Sequence, residues 1–378
     1  MAKKLDRARQ VISADAAGKV TEKMAQATKS KTAAARKPAK KPTVAPDQPD
    51  MMAEPRHHLL DLDDLTAPEI EGLLNSAEGM LEIAGRDVRK TPALRGKTII
   101  TLFFENSTRT RVSFEQAGKI LGADVINVTT AASSVTKGES LLNTVRTLQA
   151  MQIDALVVRH PHSGAPYFIA NNIDAAVVNA GDGTHAHPTQ ALLDLFTVRK
   201  HVGELAGRKV AIVGDVLYSR VARSDIIAFQ KMGAEVVVSC PNTLLPDEWE
   251  PGSTLGEETG FAGLKLASSV DEAVAGADVV MPLRIQEERQ DAGHLPSLRE
   301  YSTRWGINAR RLATANDGAL LMHPGPMNEG VEIASDVAHG AQSVVEEQVR
   351  NGVAVRMAVL YALCAPSRSS RNGAGSES

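Results

Sequence analysis

Short apolar runs alternate with amphipathic segments along most of the chain. In the first half, runs typical of buried strands occupy residues 97–104, 123–129, 154–160 and 175–181. Segments with helical periodicity follow them at 109–121, 139–151, 166–173 and 187–203. A further helix begins near residue 67, with Thr66 as its N-cap and Pro68 in its first turn. Because each strand is followed by a helix, the pattern predicts a parallel sheet covered by helices on both faces.

A second series of the same kind starts after residue 208. Its strand-like runs lie at 209–215, 234–241 and 278–284, a strand with a loop is predicted over 318–326, and its helical segments lie at 220–233 and 268–277. A last helix is predicted over 341–364. We therefore predict an α/β protein with two domains, each a parallel sheet flanked by helices. The first would span 54–196 and be completed by the helix 341–364, and the second would span 197–340.

The two ends of the chain lack this pattern. Residues 1–53 are rich in Ala, Lys, Thr and Pro, and the first fifty carry a net charge of +7 against −10 for the rest. Such a segment cannot bury enough apolar surface to offset its ordering entropy, so we predict a disordered basic N-terminal extension over 1–53 and a disordered tail over 365–378. A basic extension can bind nucleic acid or acidic surfaces, or have no specific partner.

Composition narrows the class of protein. The chain has 378 residues, a hydrophobic content of 43% and a net charge of −3, and no apolar run approaches the roughly 18 residues of a membrane span. Charged residues interrupt the N-terminus where a signal peptide would need an apolar stretch. The two cysteines, Cys240 and Cys364, form no metal-ligand pattern. We expect a cytoplasmic protein that does not bind membranes.

The richest chemistry follows the first strand, in the stretch Ser107-Thr108-Arg109-Thr110-Arg111. These residues would form the first turn of the next helix, where unpaired backbone N–H groups and the helix dipole favour an anion. Hydroxyls and a guanidinium add donors that match phosphate oxygens. The stretch indicates either an anion site or an N-capped helix with surface arginines.

Other polar residues follow the remaining strands, and ligands bind at the carboxyl ends of strands in such sheets. They are Arg159, His187 with Gln190, Arg220, Arg284 with Gln286, and Gly325 between Pro324 and Pro326. The histidines lack the acidic or cysteine partners of a zinc site, and no GxGxxG motif supports a dinucleotide. We expect no metal and no cofactor. The set predicts a pocket for anionic ligands that works by positioning and electrostatics.

The motifs together resemble the aspartate/ornithine carbamoyltransferase superfamily over residues 56–364. The resemblance rests on FENSTRTRVSFE, KGES, VVRHP, GDGTHAHPTQALLDLF, RIQ and HPGP, in this order. HPGP, the RIQ motif and the absence of Ser-Met-Gly are similar to the aspartate branch rather than the ornithine branch. The resemblance implies transfer of the carbamoyl group of carbamoyl phosphate to the amine of L-aspartate, a step of pyrimidine biosynthesis. It also implies that 54–196 binds carbamoyl phosphate and 197–340 binds aspartate.

The resemblance assigns a role to each candidate residue. Carbamoyl phosphate would be bound by Ser107, Thr108, Arg109, Thr110, Arg159, His187, Gln190, Gly325 and Pro326. Within this set, the catalytic residues would be Arg109, Thr110, Arg159 and His187. Arg220, Arg284 and Gln286 match the aspartate-binding set, and Ser133 and Lys137 match a loop that enters the active site of a neighbouring subunit. The resemblance therefore implies a homotrimer with shared active sites.

Some questions stay open at this stage. Glu329 stands where related sequences have arginine, and the extension 1–53 has no counterpart in the family core. The resemblance does not show whether regulatory or dihydroorotase-like chains join a larger assembly. Two alternatives remain: a carbamoyltransferase for another amine, and a non-catalytic scaffold whose basic tail binds nucleic acid.

Overall fold

The computed structural model describes residues 57–129, 140–250, 261–286, 289 and 297–365. Ser133 and Lys137, the predicted extension 1–53 and residues 366–378 of the predicted tail lie outside the described residues.

The N-terminal sheet has four strands in the order β2-β1-β3-β4, and all neighbouring pairs are parallel. Its strands are β1 (Thr98–Phe103), β2 (Asp124–Thr129), β3 (Ala155–His160) and β4 (Ala176–Asp182). Its helices are α1 (Ala67–Ala84), α2 (Thr108–Ile120), α3 (Leu141–Ala150), α4 (Ala165–Ala170) and α5 (Pro188–Val202). Every residue of β4 is buried, as expected for a strand covered on both faces.

Helix α1 shows how the sequence determines an element. The Thr66 side chain accepts from the Glu69 N–H, and the Glu69 carboxylate accepts in return from the Thr66 N–H, which completes a capping box. The buried stripe of α1 contains Ile70, Leu73 and Leu74, at the spacing of one helix face. The predicted N-cap is therefore confirmed.

The C-terminal sheet has five parallel strands in the order β7-β6-β5-β8-β9. Its strands are β5 (Lys209–Val213), β6 (Glu235–Ser239), β7 (Lys265–Leu266), β8 (Val279–Pro282) and β9 (Leu320–Leu321). Its helices are α6 (Arg220–Lys231), α7 (Val270–Val274), α8 (Leu298–Trp305), α9 (Ala309–Leu312) and α10 (Ser335–Ala338), with 3-10 turns at Asn242–Leu244 and Asp247–Trp249. The two parallel sheets, each flanked by helices, confirm the predicted α/β fold class.

The last helix, α11 (Val345–Cys364), returns from the C-terminal sheet to the helices of the N-terminal sheet. It packs against α1, α2 and α5, and every residue from Ala354 to Leu360 is buried. The helix thus completes the first half of the molecule, although it follows the second half in sequence.

The start of the last helix differs from its prediction. The last helix begins at Val345 rather than 341, because the Leu321 N–H donates to the Gln342 carbonyl and the Val344 N–H donates to the Leu321 carbonyl. Within 318–326, where a strand with a loop is predicted, the strand occupies Leu320–Leu321. Helix α5 ends at Val202, close to its predicted end at 203, and the division of the chain at 197 stays a prediction.

Candidate active site

A cleft of about 670 Å³ lies where the carboxyl ends of strands from both sheets meet. It is lined by every described residue of the predicted site, namely Ser107, Thr108, Arg109, Thr110, Arg159, His187, Gln190, Arg220, Arg284, Gln286, Gly325 and Pro326. The structure therefore brings these side chains together, while their individual roles stay predictions.

The stretch after β1 starts helix α2 at Thr108, with Ser107 as the N-cap in an extended conformation. Within the described residues, the Ser107 side chain makes no capping hydrogen bond. Its hydroxyl and the N–H groups of the first turn are consequently positioned to receive an anion. Thr110 is buried beneath this turn.

Arg109 packs on the backbone of Gly325. A Cβ atom built on Gly325 would lie 2.4 Å from Nη1 of Arg109, and the φ of Gly325 is +65°. Only glycine fits both the close approach and the left-handed backbone without strain. Burial, followed by the positive charge of Arg284, lowers the pKa of Arg109.

Glu105 connects three arginines at the bottom of the cleft. Its carboxylate lies 3.2 Å from Nε of Arg159, 2.5 Å from Nη2 of Arg220 and 3.1 Å from Nη2 of Arg289. Burial, followed by Arg220, lowers the pKa of Arg159 to about 9, and Glu105 opposes that shift. Gly181, with φ +115°, leaves room for two of these guanidinium groups, because its Cβ would lie 3.1 Å from each Nη1 of Arg159 and Arg220.

His187 is delivered to the cleft by a loop built around the buried carboxylate of Asp182. That carboxylate accepts from the N–H groups of Gly164 at 2.7 Å and Ala186 at 3.1 Å, and from the Asn179 amide at 2.8 Å. The His187 N–H donates to Oγ of Ser224 at 2.8 Å. Burial, followed by the charge of Arg159, lowers the pKa of His187 well below its ordinary value. The imidazole is therefore neutral at pH 7 and can donate one hydrogen bond.

Arg284 and Gln286 are held at the end of β8 by a neighbouring loop. The Gln286 N–H donates to Oδ2 of Asp215 at 2.9 Å, and Nη2 of Arg284 donates to Oε1 of Gln286 at 2.9 Å. Asp215 also accepts from the Tyr218 N–H at 3.2 Å. The arrangement directs a guanidinium and an amide from the C-terminal sheet towards the arginines of the N-terminal sheet.

Sequence reasoning missed several residues of the site. Glu105, Arg289, His323 and Gln348 line the cleft, and Asp194 lies directly behind Gln190. Glu105 is adjacent to the motif from which the anion site was predicted, but an acidic residue in a loop carries no signal of its own. By contrast, Gln190 and Asp194 are four positions apart on a predicted helix, and this spacing indicates that their side chains lie on the same helix face.

Two further observations concern metals and membranes. Among the described residues, no group of three His, Cys, Asp or Glu side chains is arranged to hold a metal ion. Of the helices in the described ranges, none is long and apolar enough to cross a bilayer.

Comparison with known proteins identifies both halves of the chain. Residues 57–200 match the family model "Aspartate/ornithine carbamoyltransferase, carbamoyl-P binding domain". Residues 206–363 match "Aspartate/ornithine carbamoyltransferase, Asp/Orn binding domain".

Individual relatives agree with these models. The aspartate carbamoyltransferase catalytic subunit of Roseiflexus castenholzii is 57% identical over 310 residues, covering 82% of this chain and 95% of the relative. That of Sorangium cellulosum is 55% identical over 311 residues, covering 82% and 94%. Aspartate transcarbamoylase of Trypanosoma cruzi, solved with carbamoyl phosphate and aspartate, superposes with a TM-score of 0.72 at 30% identity, covering 82% and 97%. Ornithine carbamoyltransferase of Pyrococcus furiosus superposes with a TM-score of 0.71 at 31% identity, covering 82% and 97%.

Proposed function

Because the chain belongs to the aspartate/ornithine carbamoyltransferase family, we propose that it transfers the carbamoyl group of carbamoyl phosphate to the amine of L-aspartate. The products are N-carbamoyl-L-aspartate and phosphate, and the reaction belongs to de novo pyrimidine biosynthesis in the cytoplasm. The observation that carries the proposal is the single cleft in which an anion-binding helix start faces a second set of cationic and amide groups.

Two anionic groups fit the two sides of this cleft. The phosphate of carbamoyl phosphate would bind Ser107, Thr108 and Arg109 at the start of α2. The carboxylates of aspartate would bind Arg220, Arg284 and Gln286. Arg284 lies close enough to Arg109 to lower its pKa, so the two anions would bind close to each other.

The choice of aspartate over ornithine follows from charge. The fold does not discriminate, since the solved relatives include both kinds of enzyme. A second carboxylate of the substrate would be attracted by Arg220 and Arg284. Ornithine, whose side-chain amine is the group carbamoylated in citrulline, would instead bring its α-ammonium group to them and be repelled. The relatives named above at 55–57% identity are both aspartate enzymes.

The mechanism requires little covalent chemistry from the protein. The neutral amine of aspartate attacks the carbamoyl carbon, a C–N bond forms, and the C–O bond to phosphate breaks. Thr110, Arg159 and neutral His187 donate to the carbonyl oxygen as negative charge develops on it. Arg109 and the N-terminus of α2 stabilise the departing phosphate, which accepts the proton of the amine.

An assay of the purified full-length chain tests the function. We expect N-carbamoyl-aspartate and phosphate in equal amounts from carbamoyl phosphate and aspartate, with little citrulline from ornithine. Preferential turnover of ornithine or another amine would reassign the substrate. A folded chain without any transfer would support the scaffold alternative.

The proposal includes a homotrimer in which Ser133 and Lys137 of one subunit complete the site of the next. The support is the family resemblance of the segment that contains them. Mixed trimers of Lys137→Ala and Arg159→Ala chains should regain part of the activity, because one interface then holds a complete site. No recovery in verified mixed trimers would contradict shared sites, and light scattering with candidate partner chains would reveal a larger assembly.

A further inference from the structure

Gln190 lies in the wall of the cleft, and its amide has two chemically different ends. This inference rests on the proposed function and on the family resemblance, which implies that Gln190 contacts the amine of carbamoyl phosphate. Only the carbonyl end of the amide, Oε1, can accept a hydrogen bond from that amine. The orientation of the Gln190 amide therefore decides whether the site recognises a carbamoyl group.

A buried relay of hydrogen bonds determines that orientation. The His323 N–H, which can only donate, lies 3.0 Å from Oε1 of Gln348. This contact turns Nε2 of Gln348 towards Oδ1 of Asp194, at 2.6 Å. Nε2 of Gln190 lies 3.2 Å from Oδ1 and 3.1 Å from Oδ2 of the same carboxylate. The relay starts at a backbone N–H, which can only donate. The donor and the acceptor of each following hydrogen bond are therefore determined in turn.

The ionised state of Asp194 is supported by its surroundings. Burial raises the pKa of Asp194 to about 7, while the hydrogen bonds from Gln348 and Gln190 and the charge of Arg356 oppose that shift. Asp225, on α6, is also buried, and neither of its carboxyl oxygens has a partner among the described residues. Burial and the charge of Asp194 raise the pKa of Asp225 well above its ordinary value. Burial and the charge of Asp194 therefore favour the protonated form of Asp225, while Asp194 carries the negative charge above pH 7.

We propose that Asp194 is a positioning residue that holds the Gln190 amide with its carbonyl oxygen towards the cleft, and so selects a carbamoyl group over groups of the same shape without an amine. Asp194 would not touch the substrate. Its carboxylate would act only through Gln190, one helical turn away.

Replacing Asp194 with asparagine should reverse the direction of the hydrogen bond between residue 194 and Gln190. Gln348 still donates to the position of Oδ1, so the new amide nitrogen takes the place of Oδ2 and faces Gln190. That nitrogen needs an acceptor, and the Gln190 amide turns to supply Oε1. Its NH₂ group then faces the cleft. This group cannot accept a hydrogen bond from the amine of a carbamoyl group, so a ligand with a methyl group in that position binds equally well.

The test uses two stable probes of nearly equal shape. Phosphonoacetamide carries the amine of carbamoyl phosphate, and acetonylphosphonate has a methyl group in its place. Calorimetry at pH 8.5 measures both dissociation constants on the full-length chain, without aspartate and without turnover. We expect the natural chain to bind phosphonoacetamide about tenfold more tightly, the size of one hydrogen bond, and Asp194→Asn to bind the two probes within about twofold of each other.

Thr197→Val is the matched control. Thr197 lies on the same helix, is buried, and accepts from the Asn351 amide at 2.9 Å, so it also connects α5 to α11. Its replacement removes a buried hydrogen bond between the same two helices but leaves the relay intact. We expect a loss of stability with unchanged discrimination between the probes.

A second measurement needs no variant. When pH falls from 8.5 to 6, Asp194, whose pKa is about 7, takes up a proton, while burial favours the neutral form of Asp225 and Arg356, with a pKa of about 10, stays charged. The ratio of the two dissociation constants of the natural chain should fall severalfold. Both probes carry the same phosphonate group, so its titration cancels in this ratio.

The outcomes separate the two proposals. If the natural chain discriminates and Asp194→Asn discriminates equally well, the role of Asp194 is overturned while the carbamoyl site stands. If Asp194→Asn does not fold, the natural chain provides the test. Constant discrimination between the two probes from pH 8.5 to pH 6 would then overturn the role of Asp194. If the natural chain does not discriminate at all, the carbamoyl site and the relay fall together.

Discussion

Replacing Glu105 with glutamine removes a carboxylate that forms ion pairs with Arg159, Arg220 and Arg289. The side chains are largely buried, with 21% of Glu105 and 15%, 5% and 19% of the three arginines exposed. The variant keeps the shape of the side chain but leaves three guanidinium groups close together without this negative charge. We expect the free energy of unfolding and the activity to fall together.

The magnitude follows from the geometry. At about 4 Å and an effective dielectric constant of about 20, each pair contributes roughly 4 kcal/mol of attraction. Repulsion among the arginines and the cost of removing the charges from water offset most of the sum. Removing one partner of a buried pair costs about 3 to 5 kcal/mol, and the partial exposure of Glu105 favours the lower end, about 3 kcal/mol.

Urea unfolding and steady-state kinetics measure the two effects. The loss of about 3 kcal/mol should lower the urea midpoint, and displacement of Arg159 and Arg220 should lower kcat/KM for aspartate by roughly 10- to 100-fold. Glu115→Gln is the control, because Glu115 pairs with the exposed Lys119 and such pairs contribute about 1 kcal/mol or less. Equal stability of the two variants would refute the reasoning that the three arginines depend on Glu105.

Three further predictions follow from the site and its surroundings. Arg109→Ala should lower kcat/KM for carbamoyl phosphate by roughly 100-fold or more through the loss of a charge-assisted phosphate contact, and near-normal kinetics would contradict its assignment. Gly325→Ala should raise KM for carbamoyl phosphate at least about tenfold by displacing Arg109. Gly330→Ala is the control and should not raise it, because Gly330 has a similar φ of +83° but no atom within 4 Å of the added Cβ. Equal KM values for the two variants would exclude the steric argument. Because burial and the charge of Asp194 raise the pKa of Asp225 well above its value in the unfolded chain, stability should fall as pH rises above about 4, by up to about 1.4 kcal/mol per pH unit. Asp225→Asn should reduce the loss of stability between pH 5.5 and 8.5 in urea titrations, while Asp194, whose pKa is about 7, keeps part of it. An unchanged loss would show that Asp225 does not contribute.

The sequence predicted the elements whose pattern is local. Strands β1 to β6 and β8 are apolar runs bounded by polar residues, and Thr66 with Glu69 forms a capping box within four positions. The residues at strand ends could be found because parallel strands bring their carboxyl ends to one edge. The predicted site residues in the described ranges therefore line one cleft.

The features that were missed depend on distant parts of the chain. Glu105 gains its role from Arg220 and Arg289, which are more than a hundred residues away. The start of the last helix was placed too early because Gln342 and Val344 bond to Leu321 instead of beginning a helical turn. Gln348 contacts Asp194 across 154 positions. No local pattern records such pairings, since they arise only when the chain is folded.

The position of α11 has a consequence for synthesis on the ribosome. Domains usually fold in the order in which they are made, from the N-terminus onward. Here the C-terminal sheet and its helices are contiguous from Lys209 to Ala338, whereas the first half still needs Val345–Cys364. The half that is translated first is thus the half that is finished last. Until the final helix leaves the ribosome, the apolar surfaces of α1, α2 and α5 that it covers are exposed to solvent. This is the interval in which a nascent chain most needs a chaperone.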